Sequence, residues 1–210
     1  MGRLFHALAV ALCLAAAPAW AEREPVRVMI LGDSIGAGYG LAPTEALDAQ
    51  LAQALAPAGR HVRVINASVS GDTTAGGLAR LDWVLADKPH LVVVELGGND
   101  GLRGIDPRTT EANLDAILTR LKKEGIKVLL TGMYAPPNLG AEYGRAFNAV
   151  FPRLAEKHDV AFYPFILDGV AADPALNQPD GIHPNAKGAR LIAERLAPVI
   201  EKLLGPPGHG

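Results

Sequence analysis

The sequence predicts an α/β fold: a five-stranded parallel sheet with helices on both faces. Three observations carry this. Short apolar runs rich in branched residues alternate along the chain with longer segments whose apolar residues recur at helical spacing. The connections between them are short, which forces crossovers and hence parallel strands. Several of the apolar runs also end abruptly in glycine and polar residues, as strands do at the edge of an α/β sheet where ligands gather.

The first strand is the run beginning at Val26, which stops in the turn Gly32-Asp-Ser34-Ile-Gly36-Ala-Gly38-Tyr-Gly40. Leu47, Leu51 and Leu55, with Pro43 and Thr44 before them and Pro57 after, outline an amphipathic helix. Val62–Ile65 is the second strand, and Asn66–Thr73 is a polar loop leading into one helix carrying Leu78, Leu81 and Leu85. Leu91–Leu96 is the most apolar strand after the N-terminal run and belongs at the centre of the sheet; it ends in Gly97-Gly-Asn-Asp100. Leu114, Ile117, Leu118 and Leu121 follow the i, i+3, i+4, i+7 pattern of a helix that opens near Pro107 and stops at Gly125. Ile126–Leu130 is the fourth strand, followed by a stiff, partly apolar loop with adjacent prolines, Met133–Gly140. Ala146, Phe147, Val150 and Leu154 predict a helix despite Pro152, and Val160–Tyr163 a short fifth strand. Phe165–Pro179 has mixed periodicity and no assignment. Asp180–Pro184 is a turn, and Leu191 to Leu203 mark a closing helix that Pro198 is positioned to kink.

Residues 1–21 stand apart. Arg3 precedes the apolar run Leu4–Ala17, and Ala19-Trp20-Ala21 offers the small residues of a cleavage site, so the segment reads as a removable export signal. The run is shorter than the roughly 20 residues of a spanning helix. Leu12 before Cys13, where a lipoprotein signal carries Gly or Ala, argues against lipid attachment. Removing 21 of the 210 residues leaves one domain, residues 22–210, with enough chain for a sizeable core and no stable membrane span. The formal net charge of −2 becomes −3 with the loss of Arg3, and no basic stretch tracks a phosphate backbone, which excludes nucleic acid as a partner. Cys13 is the one cysteine and leaves with the signal, so neither a disulfide nor a zinc thiolate is expected. The tail Gly205–Gly210 is expected to fray.

Ser34, Gly71 and Asn99 lie beyond three strands of one parallel sheet and so converge on a single edge. Taken alone, Ser34 fits a helix cap as well as a nucleophile. Asp180 and His183 arrive from a late loop, three residues apart across a glycine, which lets the carboxylate reach its own loop's imidazole. An aspartate on one ring nitrogen leaves the other as a base for a serine hydroxyl. The Ser34 N–H, the Gly71 N–H and the Asn99 amide are donors of the kind an ester's carbonyl oxygen needs as it gains charge. Tyr134 and the segment Pro136–Leu139, with Pro136 and Leu139 its apolar ends, fit an acyl-chain wall or simple loop packing. Asp33 and Asp100 read as loop hydrogen-bonders. His61, His90 and His158 read as solvated surface residues.

Other chemistries fit less well. Gly32-Asp-Ser-Ile-Gly36 satisfies the G-x-S-x-G elbow of α/β-hydrolases, but only one strand precedes it, whereas that elbow follows several. Gly71–Gly76 has phosphate-loop spacing, yet Gly77-Leu78 stands where Lys-Ser/Thr is required, and no G-x-G-x-x-G is present. Asp180 and His183 as metal ligands lack a further ligand set. No cofactor or metal is implied.

Gly32-Asp33-Ser34, Gly71, Gly97-Gly98-Asn99-Asp100 and Asp180-Gly181-Ile182-His183 resemble, in order, the four blocks of the SGNH/GDSL hydrolases. The resemblance runs from the first strand to the last helix. Within the family it is greatest to the bacterial periplasmic group with thioesterase, lysophospholipase and arylesterase activities. It implies a flavodoxin-like three-layer α/β/α fold with strand order 2-1-3-4-5. It also implies Ser34 as nucleophile, His183 as base, Asp180 as its orienter, and Ser34, Gly71 and Asn99 as oxyanion donors. The expected activity is hydrolysis of small acyl esters or thioesters, lysophospholipid included, in the periplasm. A carbohydrate acetylesterase and a catalytically silent lipid- or glycan-binding module on the same scaffold are the alternatives.

Overall fold

The computed structural model describes residues 24–206; the segment 1–21 expected to be an export signal and all but the first two residues of the tail lie outside them. The strands are β1 (Val26–Gly32), β2 (Val62–Asn66), β3 (Leu91–Glu95), β4 (Lys127–Thr131) and β5 (Ala161–Tyr163), all parallel in the order β2-β1-β3-β4-β5. β3 is central and every one of its residues is buried, because a strand covered by helices on both faces has no face left for polar side chains. On one face α1 (Leu47–Leu55) packs on α8 (Ala186–Leu204). Leu47, Leu51 and Leu55 of α1 are all buried, the spacing of four placing them on one stripe. On the other face α5 (Pro107–Lys123) packs between α2 (Thr74–Ala79) and α7 (Val150–His158).

Two helices expected as single elements are divided. The segment around Leu78–Leu85 is α2, then α3 (Leu81–Val84), then a turn of 3-10 helix, Leu85–Asp87. The break falls at Arg80, whose backbone leaves the helical region at φ −103°. Its guanidinium turns inward, binding Asp72 at 2.6 Å and the carbonyls of Ala67 and Gly32. The helix expected around Ala146–Leu154 starts earlier and is two: α6 (Ala141–Asn148) and α7, joined at Ala149. Pro152 is the third residue of α7, where its missing N–H would have had no intrahelical partner anyway. α8 runs unbroken through Pro198. The unassigned segment after Phe165 is turns, tied by an isolated bridge between Asn177 and Pro184.

His158 corrects the surface reading. It is 9% exposed, and its Nε2 lies 2.6 Å from Asp115 Oδ1. His90 is exposed, but its Nδ1 accepts the backbone N–H of Arg27 at 2.9 Å. Asp100 is fully buried and accepts from the Thr74 N–H at 2.8 Å and the Thr110 hydroxyl at 3.1 Å, locking α2 and α5 to α4 (Gly98–Leu102).

Candidate active site

The exit of β1 is packed too tightly for ordinary side chains. A Cβ on Gly32 would lie 2.4 Å from Glu95 Oε2, and one on Gly36 would lie 2.4 Å from Ser68 Oγ. Between these two glycines the chain turns, with the Ala37 N–H donating to Asp33 O at 2.9 Å and the Tyr39 N–H to Ser34 O at 3.0 Å. Ser34 rides on this turn with its hydroxyl 2.8 Å from His183 Nε2.

His183 is brought from the far end of the chain by the Asp180 turn. Asp180 Oδ1 accepts the N–H groups of Ile182 at 2.9 Å and His183 at 3.0 Å, which fixes the loop; Oδ2 lies 2.6 Å from His183 Nδ1. With Nδ1 protonated toward the carboxylate, Nε2 is free to accept from the Ser34 hydroxyl. The backbone and side-chain hydrogen bonds from His183 hold the Asp180 carboxyl down at about 2.

Gly71, at φ +88°, and Asn99, in the first turn of α4, come to the same edge. Among the described residues neither the Ser34 N–H nor the Gly71 N–H donates to a protein acceptor. The Asn99 amide nitrogen already donates to Asp33 Oδ2 at 3.1 Å and to Asp72 O at 2.9 Å. Its use by a substrate oxygen therefore means sharing or giving up one of these acceptors.

A cleft of about 710 Å³ opens beside Ser34 and His183. Tyr134 and Pro136 line it; Leu139 does not. Leu139 ends the 3-10 turn Pro137–Leu139 and faces the Gly104 turn instead. Met133, from the start of the same loop, lines the wall in its place, together with residues the sequence pattern gave no reason to choose: Phe165, Leu167 and Ile182. Phe165 stacks on Tyr134 with ring centroids 4.3 Å apart. The one available clue was position, since the segment after β5 emerges at the same sheet edge. Two further residues escaped notice. The Tyr39 ring lies 4.7 Å from the His183 imidazole. Gln178 Nε2 donates to Tyr39 O at 2.7 Å and Pro184 O at 2.9 Å, tying the serine turn to the histidine loop.

A hydroxyl bound to an imidazole that a carboxylate orients, at the C-terminal edge of a parallel α/β sheet, defines a serine hydrolase. Residues 30–191 match the GDSL-like lipase/acylhydrolase family, and the chain belongs to it. Esterase TesA of Pseudomonas aeruginosa is 43% identical over 200 residues, spanning 95% of this chain and 100% of that one. The thioesterase 1/protease 1/lysophospholipase L1 of Escherichia coli is 42% identical over 178 residues, 84% of each chain. The psychrotrophic esterase EstA from a Pseudoalteromonas species, in a structure inhibited by monoethylphosphonate, superposes with a TM-score of 0.80 at 34% identity. That match covers 85% of this chain and 98% of EstA.

Proposed function

We propose that this serine esterase cleaves esters and thioesters of acyl chains through an acyl-enzyme on Ser34. One observation carries the reading: Asp180, His183 and Ser34 are linked at 2.6 and 2.8 Å, and the series opens into a cleft walled by Tyr134, Pro136 and Phe165. His183 Nε2 takes the Ser34 proton as Oγ attacks the acyl carbonyl. The carbonyl oxygen gains the charge and is met by the Ser34 and Gly71 N–H groups and by Asn99, which trades the Asp72 carbonyl for it. Collapse breaks the bond to the alcohol or thiol, which leaves with the proton from His183. Water then repeats the cycle and frees the acid.

The apolar walls suit a hydrocarbon acyl group better than a sugar, and the names of the relatives extend the substrate class to acyl thioesters and lysophospholipids. Among the described residues no helix is long and apolar enough to cross a membrane. The enzyme is exported, most simply to a periplasm, with residues 1–21 removed. Sequencing the N-terminus of the secreted form tests this; retention of Met1 would sink it.

The decisive test of the chemistry is labelling by an active-site fluorophosphonate. Label should map to Ser34 and vanish in Ser34→Ala; persistent labelling would assign the nucleophile elsewhere. A series of p-nitrophenyl esters of rising chain length then separates the alternatives. Preference for medium or long chains supports the acyl esterase, sole preference for acetate favours a carbohydrate acetylesterase, and no turnover would leave a binding module.

A further inference from the structure

Glu95 is the last residue of β3, in register with Gly32 on β1, and is 1% exposed. Its Oε2 accepts the N–H of Asp33 at 3.1 Å and the N–H of Gly36 at 3.1 Å, so this one oxygen clamps both sides of Ser34. Its Oε1 is buried and accepts nothing. An ionised carboxylate with a bare oxygen in such a place is costly. Asp33, whose N–H sits on Oε2, carries a second buried carboxyl, 2% exposed, and its charge acts on Glu95. Two carboxyls buried side by side cannot readily both ionise, so one keeps its proton. Both oxygens of Asp33 already accept, Oδ1 from the Ile35 N–H at 3.1 Å and Oδ2 from Asn99 Nδ2 at 3.1 Å. Glu95, with a buried oxygen that has no partner, is the member of the pair with room for the proton.

We propose that Glu95 is a positioning residue that works as a neutral acid: its proton goes to Asp33, whose carboxylate holds Asn99 for the oxyanion, while its other oxygen holds the Ser34 turn. The role rests on the esterase reading above. Its electrostatic sense is direct. An oxyanion forms beside Asn99, and with Glu95 protonated the pair beneath it carries one negative charge rather than two. Burial first, and the Asp33 charge second, push the Glu95 carboxyl well above its usual range. The other groups facing the pair leave this balance intact. Ser68 offers a hydroxyl near Gly32, Thr131 on β4 bonds to Val94 O, Arg80 reaches Gly32 O but is paired with Asp72, and a proton taken up by His183 lowers the Asp33 carboxyl, which leaves the pair's own proton on Glu95.

Glu95→Gln is a mimic of the protonated acid: its oxygen accepts the two N–H groups and its amide donates to Asp33. The expected result on a p-nitrophenyl ester is kcat at pH 7 within about tenfold of wild type, the size of one ordinary hydrogen bond. Glu95→Ala strips the clamp and should lower kcat by about 10², with KM little changed. On the alkaline side wild type should lose activity as Glu95 ionises, and Glu95→Gln should not. Infrared spectroscopy of the wild-type protein at neutral pH should show the carbonyl band of a protonated carboxylic acid, missing in Glu95→Gln. Absence of that band overturns the proposal. So does a Glu95→Gln enzyme that keeps its circular dichroism yet is as slow as Glu95→Ala, since the charge would then be what matters. Fluorophosphonate labelling at Ser34 reports the esterase reading independently, and the infrared band does not depend on it.

Discussion

Asp180 divides its two oxygens between the backbone of its loop and the ring of His183, and that division has a kinetic consequence. The hydrogen bonds hold its carboxyl at about 2, so it stays ionised across the whole range in which an imidazole titrates. The Ser34 proton can move only to a neutral His183. Activity should therefore fall on acidification with a slope of one proton in log kcat/KM against pH. The check is a pH series on a neutral ester with chemistry limiting. A slope of two would mean that Asp180 loses its charge together with the ring, and a flat profile from pH 5 to 8 would mean that His183 is not the base. The residue alone could not have told cap from nucleophile at Ser34. The 2.8 Å contact with His183 is what gives its hydroxyl a base.

At the scale of the element, the loop after β2 turns on Gly71. Its φ of +88° lies where L-residues are strained, yet a Cβ there would meet nothing closer than Arg103 Nη2 at 3.9 Å. The obstacle to a side chain is thus conformational, costing about 1–2 kcal/mol. Gly71→Ala should lower the melting temperature modestly but reduce kcat clearly, as the loop relaxes and its N–H swings from the oxyanion, with little change in KM. Unchanged kcat would remove Gly71 from the donor set. Turns of this kind were legible in the sequence because glycine at a strand tip has few other uses. The strands and α1, α5 and α8 were legible for the same kind of reason, since their apolar spacing is imposed by burial on one stripe or two faces. What was illegible depends on contacts between distant residues. Nothing local marks Arg80 as the end of α2; its guanidinium turns inward because Asp72, Ala67 O and Gly32 O meet there. His158 has no partner in its neighbourhood in sequence, and finds Asp115 only when α7 packs on α5. Leu139 shares a loop with Tyr134 and Pro136, but the 3-10 turn rotates it toward Gly104.

The molecule as a whole carries its carboxyls in two opposed settings, and its stability should record both. Asp106 and Asp180 are held at about 2 by hydrogen bonds, on the exposed surface. A lowered carboxyl stabilises the fold above its unfolded pKa and loses that contribution as pH falls toward the folded one, so these residues weaken the protein only below about pH 4. Being exposed, they are screened and count for little. Glu95 has the opposite sign. Its folded carboxyl is raised well above 4.5, so the folded state keeps a proton that the unfolded chain gives up. Stability is then greatest below the unfolded value and falls as pH rises from there toward the folded value. Glu95 is fully buried, so solvent does not blunt this effect. Wild type should melt highest in mildly acidic buffer and lose stability toward neutral and alkaline pH. Glu95→Gln, which cannot ionise, should match wild type near pH 4 and melt higher from pH 7 upward. Paired thermal melts across pH 4 to 9 read this difference. A difference that stays constant with pH would mean that Glu95 titrates alike in both states, and that the strand tip beneath Ser34 holds an ordinary carboxylate.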